Sequence, residues 1–485
     1  MKRYFFATII IYLSSSINIY AQYSYTLKEY IKEALGKSYE LKEAHLESAI
    51  EDARKRLATN YYVPTLTAIP GITYNRMFTQ TSSNAFDTLN INEKSLHTEL
   101  SQNTPLGSKI HFDYDVEKNS QEEQISFFNP EYSNSVSFGI DQPVSRGFLM
   151  NDRIFSIQSS RIEYMITQKR YHKERRNLIL IFVETYWNLF LAQEDEHIKK
   201  EAYERALEQY KRTKEHIQKG ILAAKEIYVV EESLLIFANN LEDARKRLAD
   251  KKDAFLKYIF SHEKSIREID VLDKPQETLV LSESEALLEK KLEKEYMDYQ
   301  IIKLQVEESA LALLLAKNQI RPQLDLNILL TATGINNSYT TSIDDMSEGR
   351  SYNAFFGITF STPLTYSYLK GQKYTAEKRY EQSRFKEKAV MRDMSVLLRD
   401  RLRDVELRKK QYKRKKRIAY LAAKKLQSEE EKYKHGLSTL YDLVLFQRDV
   451  ANARSDMNSS LVNWHISIDR VYELTGGLDA KYSLK

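Results

Sequence analysis

The segment RPQLDLNILLTATG, residues 321–334, decides the fold. After Pro322, apolar residues fall at every second position: Leu324, Leu326, Ile328 and Leu330. Gln323, Asp325, Asn327 and Thr331 sit between them, with Leu329 the one apolar exception. A period of two over about ten residues predicts a strand with one apolar and one wet face. The helix-like sequence before it should stop at the proline, which pushes the preceding residue out of the α region. The same unit occurs earlier. Pro64 is followed by Leu66, Ala68, Ile72 and Tyr74 on one face and Thr65, Thr67 and Thr73 on the other. Each strand has a partner. Val136, Phe138 and Ile140 alternate with Ser135, Ser137, Gly139 and Asp141, ending at Pro143. Ala354, Phe356, Ile358 and Phe360 alternate with Gly357, Thr359 and Ser361, ending at Pro363. Both partners contain Phe-Gly-Ile, beginning at Phe138 and at Phe356. The chain therefore carries two copies of one plan: helix, strand, loop, strand, helix.

Outward from the strands the pattern is helical. It covers about 26–62 before the first strand and about 282–320 before the second. A shift of 258 positions aligns Leu46 with Leu304, Leu57 with Leu315, Asn60 with Asn318 and Pro64 with Pro322. One ungapped register with so many identities argues for an internal duplication. After Pro143 a helical pattern runs to about Lys219, and after Pro363 another reaches His435. At 1.5 Å per residue each spans on the order of 100 Å. Helices of that length belong to coiled coils, fibres or tubes. Each meets a glycine, Gly220 or Gly436, the expected residue where a helix ends and the chain reverses. The returning helices carry a three-four apolar seam. It reads Ile227, Val230, Leu234, Phe237, Leu241, Ala244, Leu248 in one copy and Leu443, Phe446, Val450, Ala453, Met457, Leu461 in the other.

One element lacks a counterpart. Ile110, Phe112, Tyr114 and Val116 alternate after a turn signal at Pro105 and Gly107, so a hairpin is expected over about 96–116. Its polar face is charged, with Lys109, His111, Asp113 and Asp115. Periodicity leaves open whether it joins the other strands or projects from them. The resulting division is a signal peptide at 1–21, a first repeat at 22–260, an inter-repeat (equatorial) connection at 261–281, a second repeat at 282–477 and a tail at 478–485.

The signal-peptide reading rests on Lys2 and Arg3, an apolar run over 4–13, and Ala21 before Gln22. The apolar run is shorter than the roughly 20 residues that span a bilayer. No later stretch reads as a transmembrane helix. The 485 residues contain no cysteine, which excludes disulfides, thiolate metal sites and a lipidated N-terminal cysteine. With 29% charged residues and a mean hydropathy of −0.54 the average composition is that of a soluble protein. That average misleads where the membrane part is a barrel, because barrel strands give weak hydropathy signals. A net charge of +5 is too small to imply a nucleic-acid partner.

Four amphipathic strands cannot close a membrane barrel, and lipid tolerates no open sheet edge. The chain must therefore oligomerise, and three copies of four strands would give about twelve. On these residues the chain resembles the TolC-like outer-membrane efflux proteins over nearly its whole length. The resemblance is carried by the Pro64/Leu66 and Pro322/Leu324 entries and the Phe-Gly-Ile strands. Gln142-Pro143 and Thr362-Pro363-Leu364, leading into the long helices, and the Gly220 and Gly436 turns complete it. It implies a mostly α fold with a β-barrel part: a homotrimer with a twelve-stranded barrel in outer-membrane lipid, continued by an α-helical periplasmic tunnel. It implies docking to a periplasmic adaptor and an inner-membrane transporter, and passive export.

No catalytic constellation, cofactor motif or metal site is expected. The nine histidines are scattered, and no metalloprotease, phosphate-loop or nucleophile-elbow motif occurs. The basic run 408–417 reads as a solvated helix face. The Gly220 and Gly436 turns are the expected adaptor-docking tips, and Pro64, Pro143, Pro322 and Pro363 mark the strand–helix junctions. The resemblance places a gate near the tips. Glu226 and Tyr433 match the positions of a latching pair, and Asp442 one member of an acidic ring. Ser438 replaces the family's basic partner, and Leu445 stands where a second aspartate would be. The rival reading is a secreted or periplasmic coiled-coil structural protein with a β-rich head. Such a head has no need of four ten-residue amphipathic strands.

Overall fold

The duplication is visible in the computed structural model, which describes residues 23–80, 86–121, 128–259, 269–278, 281 and 283–484. The expected signal peptide lies outside these residues. Helix α1 (Leu27–Lys37) starts at a capping box, in which Thr26 Oγ1 accepts the Glu29 amide at 3.3 Å and Glu29 Oε2 accepts the Thr26 amide at 3.0 Å. The helix breaks at Ser38 and resumes as α2 (Tyr39–Thr59). In the second half α5 (Glu285–Glu295) breaks at Tyr296 and resumes as α6 (Met297–Gln319). Adding 258 to the α1 bounds, 27 and 37, gives 285 and 295, the bounds of α5. The break at 38 maps to 296, and the start of β2 (Thr65–Gln80) maps to the start of β7 (Gln323–Asn336).

The chain divides into two compact units, each built from both halves of the sequence. One comprises residues 43–172 and 297–393, the other 1–42, 173–296 and 394–485. The first contains a six-stranded sheet in the order β2, β3 (Phe86–Asn103), β4 (Lys109–Gln121), β5 (Glu131–Pro143), β7, β8 (Ser351–Ser361). All neighbours are antiparallel. The strand boundaries fall at the expected prolines: β2 and β7 begin just after Pro64 and Pro322, β5 ends on Pro143, and β8 stops two residues before Pro363.

Two expectations are corrected here. The hairpin is longer than 96–116 at both ends. It also lies inside the sheet, with β3 paired to β2 from Ser101 to Phe86 and β4 paired to β5 from Lys109 to Asn119. Among the described residues the sheet thus has six strands, not four. The turn at residues 104–108 that makes this possible uses Gly107 at φ +89°, where a Cβ would meet the Gly147 carbonyl oxygen at 2.7 Å. Beyond β7, helix α7 (Tyr339–Ser347) packs on one face of the sheet. A Cβ at Gly334 would lie 1.9 Å from the Ser342 carbonyl oxygen, so this strand position requires glycine.

The second unit holds an aromatic core. Tyr30 stacks on Phe255 with ring centroids 3.9 Å apart, and Phe182 and Tyr186 of α3 (Asp152–Gln218) meet Tyr30 at 6.1 Å each. Phe255 comes from α4 (Glu226–Leu256). The Tyr186 hydroxyl donates to the Tyr25 carbonyl at 2.9 Å and accepts the Asp273 amide at 3.0 Å. These bonds hold β1 (Tyr23–Tyr25) beside β6 (Ile269–Val271), which pair in parallel. The expected connection at 261–281 therefore includes a strand, although 260–268 lie outside the described residues. The other long helix is α8 (Ser367–Lys434), and α9 (Leu440–Thr475) returns from it. Leu478 of the short α10 (Leu478–Lys481) is fully buried, and Tyr482 and Leu484 pack on the same core.

Candidate functional site

The strand register sorts the sheet into two chemically different faces. One face carries Leu66 and Ile72 of β2, Leu96 and Leu100 of β3, Phe112 and Val116 of β4, Val136, Phe138 and Ile140 of β5. It continues through Leu326, Ile328 and Leu330 of β7 to Phe356, Ile358 and Phe360 of β8. These side chains lie on water-accessible surface: Leu66, Ile72, Phe356 and Ile358 are 69, 63, 68 and 72% exposed. From Leu324 to Ala332 the run covers roughly 27 Å along β7. At the tilt of about 35–45° that barrel strands adopt, this is roughly 20 Å of height, close to but below the apolar band of about 25 Å on outer-membrane barrels. At one end it gives way to Lys94, Lys118, Asn134 and α7, where Asn134 is fully buried and bonds Ser342.

The opposite face is polar and hydrogen-bonded across strands. Asn327 Nδ2 donates to Asp141 at 2.8 Å, Thr359 Oγ1 donates to Asn327 Oδ1 at 2.9 Å, and the Ser137 and Thr331 hydroxyls meet at 2.9 Å. On β3, β4 and β5 it is strongly acidic, with Glu93, Glu99, Asp113, Asp115, Glu117 and Asp141. Lys109 pairs with Glu99 at 2.5 Å. The apolar exception Leu329 lies on this wet face and pairs with Phe355, so it obeys the alternation and only its side-chain type departs from it.

The glycine turns belong to the other unit. Gly220 and Gly436 both adopt left-handed backbone, at φ +71° and +72°. At each, the glycine amide bonds the carbonyl three residues back (Ile217, Tyr433) at 3.0 Å. The following residue bonds the carbonyl five back (His216, Lys432) at 2.9 Å. This pair of bonds is a Schellman close, which satisfies the last carbonyls of α3 and α8. Tyr433 is half-buried among Val230, Leu440 and Leu443, beside Ile227. Burial pushes its phenol up, the Glu226 carboxylate pushes it further, and a hydrogen bond with Gln209 opposes both. Glu226 thus acts on Tyr433 electrostatically, while the hydrogen bond comes from a third helix position that the sequence did not suggest. Asp442 occupies the first turn of α9. The Thr439 hydroxyl donates to its carboxylate at 2.5 Å and accepts its amide at 3.2 Å, so Asp442 takes part in capping that helix. Ser438 donates its hydroxyl to Glu429.

The junction prolines are supported by a residue the pattern reading aligned but gave no role. Asn318 is buried, accepts the Gly147 amide at 2.8 Å and donates to the Phe148 carbonyl at 3.4 Å, tying the segment after Pro143 to the end of α6. Four of the eight basic residues in 408–417 form ion pairs within their own unit: Arg408 with Asp404, Lys410 with Glu406, Lys415 with Asp456 and Lys416 with Glu277. Tyr412, in its middle, is buried and stacks on Trp464 at 5.8 Å. Half of the run's cations thus have counter-charges close by. No helix among the described residues is long and apolar enough to cross a membrane.

The fold defines a class: a duplicated chain with an amphipathic antiparallel sheet and pairs of very long helices reversing at glycine. No protein-family model matches the sequence, and no curated protein matches it. Solved structures do. The chain is similar to CusC, in crystal structures concerned with transmembrane channel formation, with a TM-score of 0.66 at 13% identity over 93% of this chain and 91% of that one. It is similar to the outer membrane channel CmeC of Campylobacter jejuni, with a TM-score of 0.63 at 16% identity over 93% and 85%. It is also similar to the outer membrane protein VceC of Vibrio cholerae, at 0.63 and 12% over 93% and 96%. The likeness is one of fold: over nearly its whole length the chain has the fold of the TolC-like outer-membrane channels.

Proposed function

We propose that the chain is the outer-membrane channel of a tripartite efflux or secretion system, a passive exit duct across the periplasm and the outer membrane. The observation that carries this reading is the unbroken, exposed apolar face running across all six strands, with a polar hydrogen-bonded face behind it. A sheet of this kind is stable in lipid only if its two outer strands, β2 and β8, find partners. Six strands alternate in direction, so β8 of one copy can pair antiparallel with β2 of the next. The sheet is thereby closed by a homotrimer. The sum of twelve rested on four strands per chain. Three copies of the observed six give eighteen, a number at which barrels leave an aqueous channel. The apolar face meets outer-membrane lipid and the acidic face lines the lumen.

The long helices form the periplasmic part. The Gly220 and Gly436 turns are its docking end for a periplasmic adaptor that couples the duct to an inner-membrane transporter. Glu226, Tyr433 and Asp442 form the resting gate. Cell fractionation with light scattering on the purified protein tests the proposal. It expects the chain in the outer-membrane fraction and a mass of three chains in detergent. Recovery in the soluble fraction as a folded monomer would reject it in favour of a coiled-coil structural protein.

A further inference from the structure

The polar face of the inserted hairpin gathers metal-ligating side chains that are far apart in reading order. The register sets Glu99 opposite Asp113, His97 opposite Asp115, and His111 opposite Gly139. One ligand atom each from His97, Glu99 and Asp113 lies within 4.8 Å of the others. Around them stand two further carboxylates and a second imidazole. His97 Nδ1 is 2.5 Å from Asp115 Oδ1, and His111 Nδ1 is 2.6 Å from Asp113 Oδ2. The His111 ring lies across β5, where a Cβ on residue 139 would come within 2.0 Å of its Nε2. The glycine of the Phe-Gly-Ile triplet therefore makes room for an imidazole at this place. Nε2 looks towards Asp141 at 4.0 Å.

The charges do not balance internally. Glu99, Asp113, Asp115 and Asp141 are four carboxylates. Lys109, on Glu99 at 2.5 Å, is the one full cation paired with them among the described ion pairs. The donor chemistry is also selective. An imidazole with two carboxylates suits a divalent first-row transition ion, whereas magnesium and calcium favour oxygen alone. A carboxylate on one nitrogen of a histidine ring is the usual device for orienting an imidazole that binds a metal through the other, and Asp115 sits on His97 Nδ1, which leaves Nε2 for an ion.

We propose that His97, Glu99 and Asp113 bind one divalent transition-metal ion of the zinc type per chain. Asp115 orients His97, and His111 completes or flanks the site. The ion displaces the Lys109 ammonium from Glu99. Sequence reading expected no metal site, because the three ligands come together only through the register of β3 against β4. The proposal requires the polar face to be wet, and it stands whether or not the chain conducts.

Isothermal titration of the full chain in detergent, stripped with chelator and then titrated with zinc chloride, tests it. One site per chain with micromolar affinity is expected, and magnesium chloride should give no heat. His97→Ala and Asp113→Asn should each weaken zinc binding by about tenfold or more, as lost ligands do. His216→Ala, on an exposed face of α3, should leave it unchanged. A measurement on the unaltered chain guards against misfolded variants. Saturating zinc should protect His97 from carbethoxylation by diethyl pyrocarbonate while His216 stays reactive. Absence of a zinc heat, equal affinity in both ligand variants, or equal labelling of His97 with and without zinc would overturn the proposal.

Discussion

Ile328 and Leu329 are neighbours of equal size on one strand, and the account assigns them opposite surroundings. Ile328 sits midway along the apolar run of β7, between Ile140 and Phe356 in register, and Leu329 sits on the wet face between Gly139 and Phe355. Arginine at 328 would place a guanidinium in lipid near the barrel midplane, at a cost of about 2–4 kcal/mol per chain. A closed trimer carries three such residues, roughly 6–12 kcal/mol in all. That is comparable to the whole net stability of a typical fold, about 5–15 kcal/mol. Arginine at 329 loses packing against Phe355 and keeps its charge in water, the ordinary cost of about 1 kcal/mol. Both substitutions remove the same hydrophobic volume, so only the face differs. The assay is the amount of oligomer recovered from the outer-membrane fraction, resolved by light scattering. Ile328→Arg should fail to assemble and Leu329→Arg should assemble. Equal recovery, or the reverse order, would refute the assignment of the faces.

Three further outcomes are expected. Gly220→Ala and Gly436→Ala meet open space but force an L-residue into left-handed backbone, at about 1–2 kcal/mol each, whereas Gly371→Ala, inside α8 and equally unobstructed, should stabilise by about 0.5–1 kcal/mol; thermal melting must show the two signs. Tyr433→Phe with Glu226→Ala should raise single-channel conductance, and Asp442→Ala should lower cation preference and weaken block by multivalent cations; unchanged traces would place the gate elsewhere. Burial among Trp187 and Trp464 pushes the imidazole of His465 down, although its Nε2 donates to the Gln276 carbonyl at 2.8 Å. Its neutral form therefore stabilises the fold above the unfolded value of about 6.5, and that contribution is lost as pH falls below it. The melting temperature of the parent should drop more between pH 7.5 and pH 5 than that of His465→Gln, and parallel curves would contradict this.

The strands around Pro322 and Pro64 were legible because one face must be apolar for its full length, and period two then survives in the sequence. The helical stretches before β2 and β7 were legible through the 258-position repeat, whereas their division at Ser38 and Tyr296 into α1 and α2 and into α5 and α6 was not. The start of β3 was not, because its first half contains Asn90, Asn92, Glu93 and Lys94, where the sheet leaves its apolar band and alternation lapses. β1 and β6 are three residues each, too short for any period to register, and are held by the Tyr186 hydroxyl rather than by their own pattern. The strand number followed from this gap, since only pairing to β2 and β5 shows that the hairpin belongs to the sheet. At the turns, Gly220 and Gly436 were found from sequence because left-handed backbone selects glycine. Gln209 beside Tyr433 was not, because a hydrogen bond between residues 224 positions apart leaves no local signal.

The central claim, that this chain forms a membrane-spanning duct, is tested most directly by planar-bilayer recording on the purified oligomer. Discrete, repeated conductance steps on insertion, with cations preferred over anions by the acidic lumen face, are the predicted result. A folded, oligomeric preparation that associates with the bilayer and produces no steps would contradict it.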